Sequence, residues 1–287
     1  MTDAERRGTK LGIGERRAVV IGVGALAWLV GLLWIFPFAW TVLTSFKTED
    51  DAAAQTLHQG LSFGRYSDVG QSTQGTLSLQ SAFTNSLVVV LVSTTIVMLL
   101  ALPAAYALAI RPIHKWRDVL FFFISTKMLP VAGAIIPLYV IARSLHLLDT
   151  LPVLIILYTS LNLPIAVWML RSFLLEVPVA ILEAAHVDGA SFFRQLRSVV
   201  LPLITPGMAA TALICFIFAW NEFFLAVNLT TTNAATVPVY LVGFQSGEGQ
   251  FWAHLCAGAT LACLPVLIAG WAAQDKLVRG LTMGAVK

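Results

Sequence analysis

The stretch AVVIGVGALAWLVGLLWIFPFAWTVLTSF, Ala18 to Phe46, runs its whole length without a charged residue. A helix rises about 1.5 Å per residue, so some 20 apolar residues cross the roughly 30 Å of hydrocarbon in a bilayer, and this run is long enough. Arg16 and Arg17 precede it in the manner of a secretory signal. A cleavable apolar region is only ~7–15 residues long and ends in a small-residue site, whereas this one is about twice that and has none, so it reads as a retained anchor. Five further runs pass the same test: Ala82 to Ile110, Val119 to Ala142 with Lys127 inside it, Thr150 to Leu170, Leu203 to Leu229 with Glu222 inside it, and Gln250 to Gln274. Strands of a barrel would need only ~10 residues of strict alternation. The expectation is an all-α, polytopic membrane protein with six transmembrane helices.

The bulk numbers agree. Of 287 residues 58% are hydrophobic and 11% charged, with a mean hydropathy of +0.82, so lipid rather than water must be the solvent for much of the chain. Basic residues fall in alternate loops. Arg6, Arg7, Lys10, Arg16 and Arg17 precede the first span, and Arg111, Lys115 and Arg117 follow the second. Arg171, Arg194 and Arg197 follow the fourth, and Lys276, Arg279 and Lys287 follow the last. Only Lys47, Arg65 and Arg143 lie on the other side. The positive-inside bias therefore expects both termini in the cytoplasm: a tail at 1–17, a membrane domain at 18–275, and a second tail at 276–287. It also accounts for the net charge of +3, so nothing points to nucleic acid. Cys215, Cys256 and Cys263 all fall in spans without a CxxC pair and read as packing residues, with no disulfide framework and no metal site.

The cytoplasmic segment 172–202 interrupts this oily chain with EAAHVDGASFFRQLRSVVLP, Glu183 to Pro202. Pro178 fits the first turn of a helix, Gly189 a left-handed stop, and Ser191 the cap of a second helix. On that second helix Phe192, Phe193, Leu196, Val199 and Val200 share an arc of roughly 120°, with Arg194, Gln195 and Arg197 outside it. Two uses fit such a hairpin: lying in the headgroup layer with its arginines toward anionic lipid, or docking a soluble partner. Glu183 followed by Ala184 and Ala185 favours docking, because alanines allow close approach and one charge sets register.

Within the spans, Lys127, Glu222 and His254 are the ionisable exceptions, and charges at bilayer depth normally face a cavity or a partner. Lys127, Trp220, Asn221 and Glu222 are candidates for lining a translocation path or gate. Polar packing against a neighbouring subunit is the alternative, and for His254 packing is the expected role. A secondary transporter would carry ion-binding carboxylates in repeated halves, and Glu222 alone qualifies. No HExxH, GxSG or GxGD supports an intramembrane enzyme, and none of the lysines sits in a GxxxxGK[ST] loop, so the chain has no ATPase of its own.

The spacing EAA, three residues, Gly, nine residues, then an aliphatic pair and Leu-Pro resembles the cytoplasmic loop of ATP-binding-cassette importer permeases, with Val199 where the family pattern has Ile. Further stretches extend the resemblance to permeases of the maltose type, on the side of the smaller six-span subunit. They are TSFKT (44–48), NSL (85–87), AAYALA (104–109), PLY (137–139), DGAS (188–191), WNEF (220–223) and RGLTMGAVK (279–287). TKMLP (126–130) and LPVLIAGWAAQDKLVRGL (264–281) are most similar to the sorbitol and mannitol branch. The resemblance implies a non-catalytic permease subunit for a sugar or polyol in a bacterial plasma membrane. Its partners would be a second homologous permease, two ATP-binding subunits that carry ATP and Mg, and an extracellular solute-binding protein. No cofactor would sit in this chain. Glu183, Ala184, Ala185, Asp188 and Gly189 would dock the ATPase, Ser191 to Arg197 would continue that surface, and Gly280, Leu281, Thr282 and Lys287 would form a second contact.

Overall fold

The computed structural model describes residues 13–55, 62–71, 73–74, 77–110, 114–246 and 249–285. Helix α1 (Ile13–Thr44) leads into two short helices, α2 (Glu49–Ala53) and α3 (Gly64–Gln71), and a two-stranded ribbon, β1 (Thr73–Gln74) with β2 (Leu77–Ser78). Next come α4 (Leu79–Ala109), α5 (Trp116–Met128), α6 (Val131–Ser144) and α7 (Leu151–Leu175). A hairpin follows, made of α8 (Val179–Val187) and α9 (Phe192–Gln195), and a π-helical turn, Leu196–Val200, carries α9 into α10 (Leu201–Trp220). The chain closes with α11 (Phe224–Leu229), α12 (Val237–Val242), the ribbon β3 (Gln245–Ser246) and β4 (Gly249–Gln250), and α13 (Trp252–Ala285). The fold is all-α apart from the two ribbons. Five helices are long and apolar enough to cross a membrane, and α5 with α6 makes a sixth crossing if the pair is one span.

Helices α4 and α7 form the centre. Ser86, Val90, Ser93, Val97, Ala101 and Ala105 are buried along one face of α4, and Leu154, Tyr158, Asn162, Ala166, Leu170 and Leu174 recur every four residues on α7. Between apolar helices in lipid, association rests on close van der Waals packing, and small side chains permit it. The same logic governs Gly207 on α10, where an added Cβ would lie 2.3 Å from the Phe173 ring. The core has two parts. One gathers Tyr158, Trp220, Tyr240 and Val69, and the other gathers Val97, Ala105, Leu170 and Val200 toward the hairpin. Helix α1 packs at the edge against α13 and leaves Trp28 and Trp34 exposed.

The structure corrects two of the expected spans. The third is not one continuous helix: α5 and α6 meet at 89°. Pro130 supplies no N–H and disfavours helical geometry at the residue before it, and Leu129 is accordingly extended, at φ −68° and ψ 123°. The fifth span ends at Trp220 rather than Leu229 and begins within the hairpin, because the helix runs on from Phe192. Pro202 leaves the Ser198 carbonyl without its usual donor, and the helix widens there instead of breaking. The Leu201 N–H bonds the Leu196 carbonyl five residues back.

Candidate coupling surface and translocation path

The hairpin is built by local rules. Pro178 is the residue that caps α8, one position earlier than expected, at φ −61° and ψ 127°. At the other end Gly189 takes φ +73°, its N–H bonding the His186 carbonyl at 3.0 Å, while the Ala190 N–H bonds the Ala185 carbonyl at 3.0 Å. These paired bonds close a helix with a left-handed residue, the role expected of this glycine. Ser191 occupies the cap of α9 but makes no side-chain capping bond. Glu183, Ala184, Asp188, Gly189, Ser191, Arg194 and Arg197 are exposed and Ala185 is half-buried. The candidates on α8 and at its closing turn therefore share one exposed end of the bundle. Beneath them lies a cavity of about 610 Å³ lined by Tyr106, Glu183, His186 and Gln195.

The predicted apolar arc holds only in part. Val200 is buried and Leu196 and Val199 are half-buried, but Phe193 is 78% exposed, and so is Val187 beside the turn, at 85%. The π turn displaces the register assumed for a regular helix. Gln195, placed outside the arc, donates its side-chain amide to the Leu182 carbonyl at 2.8 Å and joins the two arms. At the far end of the chain, Gly280, Leu281 and Thr282 belong to the last turns of α13, which continues unbroken through position 276, and Lys287 lies outside the described residues.

The four path candidates do not converge on one point. Trp220 is buried, its indole N–H donates to the Ala262 carbonyl at 3.0 Å, and its ring stacks on Phe216 and meets Phe83 edge-on. Asn221 is exposed and bonds back to the Ile217 carbonyl. Glu222 caps α11, its carboxylate accepting the Leu225 N–H at 2.9 Å and the Ala226 N–H at 3.3 Å. Lys127 is exposed in the last turn of α5, with Nζ 5.8 Å from the Phe218 ring centroid, and no ion pair joins it to Glu222 among the described residues. His254 lies in the first turn of α13, against Glu49, whose carboxylate also accepts the Ala253 and His254 N–H groups at 3.0 Å. That is a packing and capping role. Among the described residues no three His, Cys, Asp or Glu side chains are grouped to hold a metal ion.

Comparison with known proteins places this geometry. The model of the binding-protein-dependent transport system inner membrane component family matches residues 99–281, which include the hairpin. The chain belongs to this family. It is 35% identical over 266 residues to the probable ABC transporter permease protein y4oR of Sinorhizobium fredii, covering 91% of this chain and 94% of that protein. It is 34% identical over 263 residues to the trehalose transport system permease protein SugB of Mycobacterium tuberculosis, covering 90% and 92%. Among solved structures, a bacterial ABC transporter involved in import of the acidic polysaccharide alginate superposes with a TM-score of 0.71 at 21% identity, over 93% of this chain and 98% of that one. As an inner membrane component, the chain is a multi-pass ABC permease and a non-catalytic transporter subunit of the bacterial inner membrane.

One strong constellation in this permease has almost no signature in the sequence. Asp149, in the turn between α6 and α7, adopts φ +55° and accepts the N–H groups of Thr231, Thr232, Asn233 and Ala234 and the Thr231 hydroxyl. Its partial burial pushes the pKa up, but the donated hydrogen bonds outweigh this and hold the carboxyl well below the usual carboxylate range. Asn85 fastens the same loop by donating to the Asn233 and Ala235 carbonyls. The sole local signal is an Asp next to Thr150 in a short connection; its partners are more than eighty residues away.

Proposed function

We propose that this permease is the subunit of an ATP-driven importer for a carbohydrate or polyol that converts closure of an ATPase dimer into alternating access. The observation that carries the reading is the exposed α8–Gly189–α9 hairpin, continuous through the π turn with the membrane helix α10. A rigid element that projects from one end and runs directly into a span transmits displacement without needing a flexible linker. Glu183, Ala184, Ala185, Asp188 and Gly189 would meet the ATPase, with Ser191, Arg194 and Arg197 beside them. Gly280, Leu281, Thr282 and Lys287 would form the second contact. Both termini and the hairpin would then face the cytoplasm, a reading the distribution of basic residues supports.

A homologous permease, two ATP-binding subunits holding ATP and Mg, and an extracellular solute-binding protein would complete the assembly. The trehalose system of the M. tuberculosis relative supports a sugar as cargo, and the TKMLP stretch supports a polyol. Lys127, Asn221 and Glu222 would face the path, with Trp220 anchoring the end of α10. A second reading comes from the exposed Val187 and Phe193: a hairpin seated in the headgroup layer.

Uptake of labelled trehalose, maltose, sorbitol and mannitol into vesicles holding the co-expressed complex separates the two. Proline fixes φ near −65° and cannot occupy the +73° of Gly189, so Gly189→Pro must distort the turn. Loss of ATP-dependent uptake in that variant supports coupling. Uptake that ignores both Gly189→Pro and removal of the ATPase subunits refutes it.

A further inference from the structure

Where α4, α5 and α7 reach the hairpin end of the bundle, two arginines gather around one indole. Trp116 opens α5, and both guanidiniums border its ring: the Arg171 Cζ lies 4.3 Å from the ring centroid and the Arg117 Cζ 5.3 Å. Both distances fall inside the range of about 6 Å at which a cation is held by an aromatic face. Arg171 is fixed from a second side, because its Nε donates to the Leu108 carbonyl of α4 at 3.2 Å. Lys115, exposed at φ +61°, adds a third cation next to Trp116 in the chain. The acids nearest in sequence are Asp118 and Glu176. Both are exposed, and among the described residues neither forms an ion pair with these cations.

Deeper along the seam between α5 and α7 the surface turns apolar. Residues three or four apart share a helix face, so Phe121 follows Arg117 on α5 and Trp168 precedes Arg171 on α7. Both aromatics are exposed, at 74% and 48%. Beyond them the two helices border a cavity of about 310 Å³ lined by Ile124, Pro164, Ile165 and Trp168. Lys127 completes the lining, with its ammonium over the Phe218 ring. Ile124 and Pro164 each lie seven residues from the arginine of their own helix. That is about 10 Å along the axis, within the half of the bilayer that the arginines border.

We propose that this seam binds an anionic phospholipid, with its phosphodiester at Arg117 and Arg171 beside Trp116 and one acyl chain in the cavity between α5 and α7. The phosphodiester supplies the negative charge that neither guanidinium finds among the described residues, and a planar guanidinium matches phosphate oxygens in pairs. Tryptophan belongs at headgroup level, and basic pockets between membrane helices recognise acidic headgroups. A free phosphate would leave Phe121, Trp168 and the cavity uncovered. A zwitterionic lipid would bring its own ammonium to the arginines. An acidic amphiphile matches both the charged rim and the apolar seam, and it joins α5 to α7 at the end of the bundle that carries the hairpin.

The test is native mass spectrometry of the full chain, purified with the subunits that accompany it and titrated with dioleoyl phosphatidylglycerol or dioleoyl phosphatidylcholine. Wild type is expected to retain phosphatidylglycerol in preference to phosphatidylcholine. Arg117→Gln and Arg171→Gln should each weaken phosphatidylglycerol binding about fivefold, the contribution of one basic residue beside acidic headgroups, and leave phosphatidylcholine unchanged. Ile124→Trp, which fills the cavity, should weaken it several-fold with both arginines in place. Arg143→Gln, exposed in the last turn of α6, should match wild type. Glycerol 3-phosphate, a headgroup without chains, should not displace the lipid. Equal retention of the two lipids by wild type overturns the site, and so does undiminished phosphatidylglycerol binding in Arg117→Gln. A loss in Arg143→Gln as large as in Arg117→Gln would assign the preference to the general charge of the surface and also overturns it. Displacement by glycerol 3-phosphate assigns the arginines to a soluble phosphate, and undiminished binding in Ile124→Trp removes the acyl chain from the cavity; either result overturns the lipid assignment. Arg171 also holds the Leu108 carbonyl, so if Arg171→Gln fails to fold, the exposed Arg117 decides by the same criterion.

Discussion

The side-chain amide of Gln195 donates to the backbone carbonyl of Leu182 at 2.8 Å, so one hydrogen bond ties the first arm of the hairpin to the second across thirteen residues. The carbonyl lies one residue before Glu183, and the amide one residue before the π turn. The bond ties α8 to the arm that runs on into α10, and the contact of Phe192 with Tyr106, whose ring centroids lie 5.3 Å apart edge to face, ties the same hairpin to α4. Gln195→Leu removes the donor that joins the two arms, a cost of about 1 kcal/mol local to the hairpin. The expected outcome is faster amide exchange over 184–190 and several-fold weaker coupling of uptake to ATP hydrolysis, with assembly intact. Unchanged exchange would show that the backbone bonds at Gly189 suffice to hold the arms.

Gly207 lets α10 pack directly against Phe173 of α7. Its missing Cβ would sit 2.3 Å from Phe173, so Gly207→Ala forces the ring or the helix to move. Overpacking of this kind costs about 1–3 kcal/mol. Thermal unfolding of the detergent-purified protein should begin several degrees lower. Adding Phe173→Leu should recover part of the loss, giving a double variant more stable than the two single effects predict. Additive losses would mean that the ring already has room to yield.

How far the sequence reveals this fold depends on whether each feature is set locally. Uncharged runs place the spans, because exclusion of charge from hydrocarbon does not depend on partners. Gly189 is legible for the same reason: the left-handed stop is a property of one residue. Proline is not so readable. Pro103 and Pro164 lie inside continuous helices, whereas Pro130 marks an 89° break, and the difference lies in packing around them rather than in the residue. Glu222 reads as a charge within a span, but its carboxylate caps a helix that begins two residues later. Phe193 is misplaced by any regular helical wheel because the helix widens three residues further on, from Leu196.

Glu222 separates charge from capping. Glu222→Ala removes both acceptors for the Leu225 and Ala226 N–H groups and should destabilise α11 by about 0.5–2 kcal/mol. Glu222→Gln keeps one acceptor oxygen and loses the charge. If the charge serves a gate, Gln should cut uptake as deeply as Ala while unfolding near the wild-type temperature. Full uptake in Glu222→Gln, with a defect confined to Ala, would reduce Glu222 to a cap and end its assignment to the path.

Asp149 offers a pH test at the end of the bundle opposite the hairpin. Its carboxyl is held below the ordinary range when folded, so the stabilisation is complete above the unfolded value of about 4 and is lost as pH falls below it. Asp149→Asn isolates that charge, because both residues tolerate the left-handed φ of +55° and the amide oxygen still accepts. At pH 7 the Asn variant should unfold at a lower temperature than wild type, and the loop 231–235 should exchange its amides faster. As the pH drops below about 4 the carboxyl takes up a proton first in the unfolded chain, and the two unfolding temperatures should converge as the pH approaches the lowered folded value. A gap that stayed constant across that range would assign the stabilisation to geometry alone. A gap that widened on acidification would mean that the folded state raises the carboxyl pKa instead of lowering it, and the N–H donors of the 231–234 loop could not then dominate the charge state of Asp149.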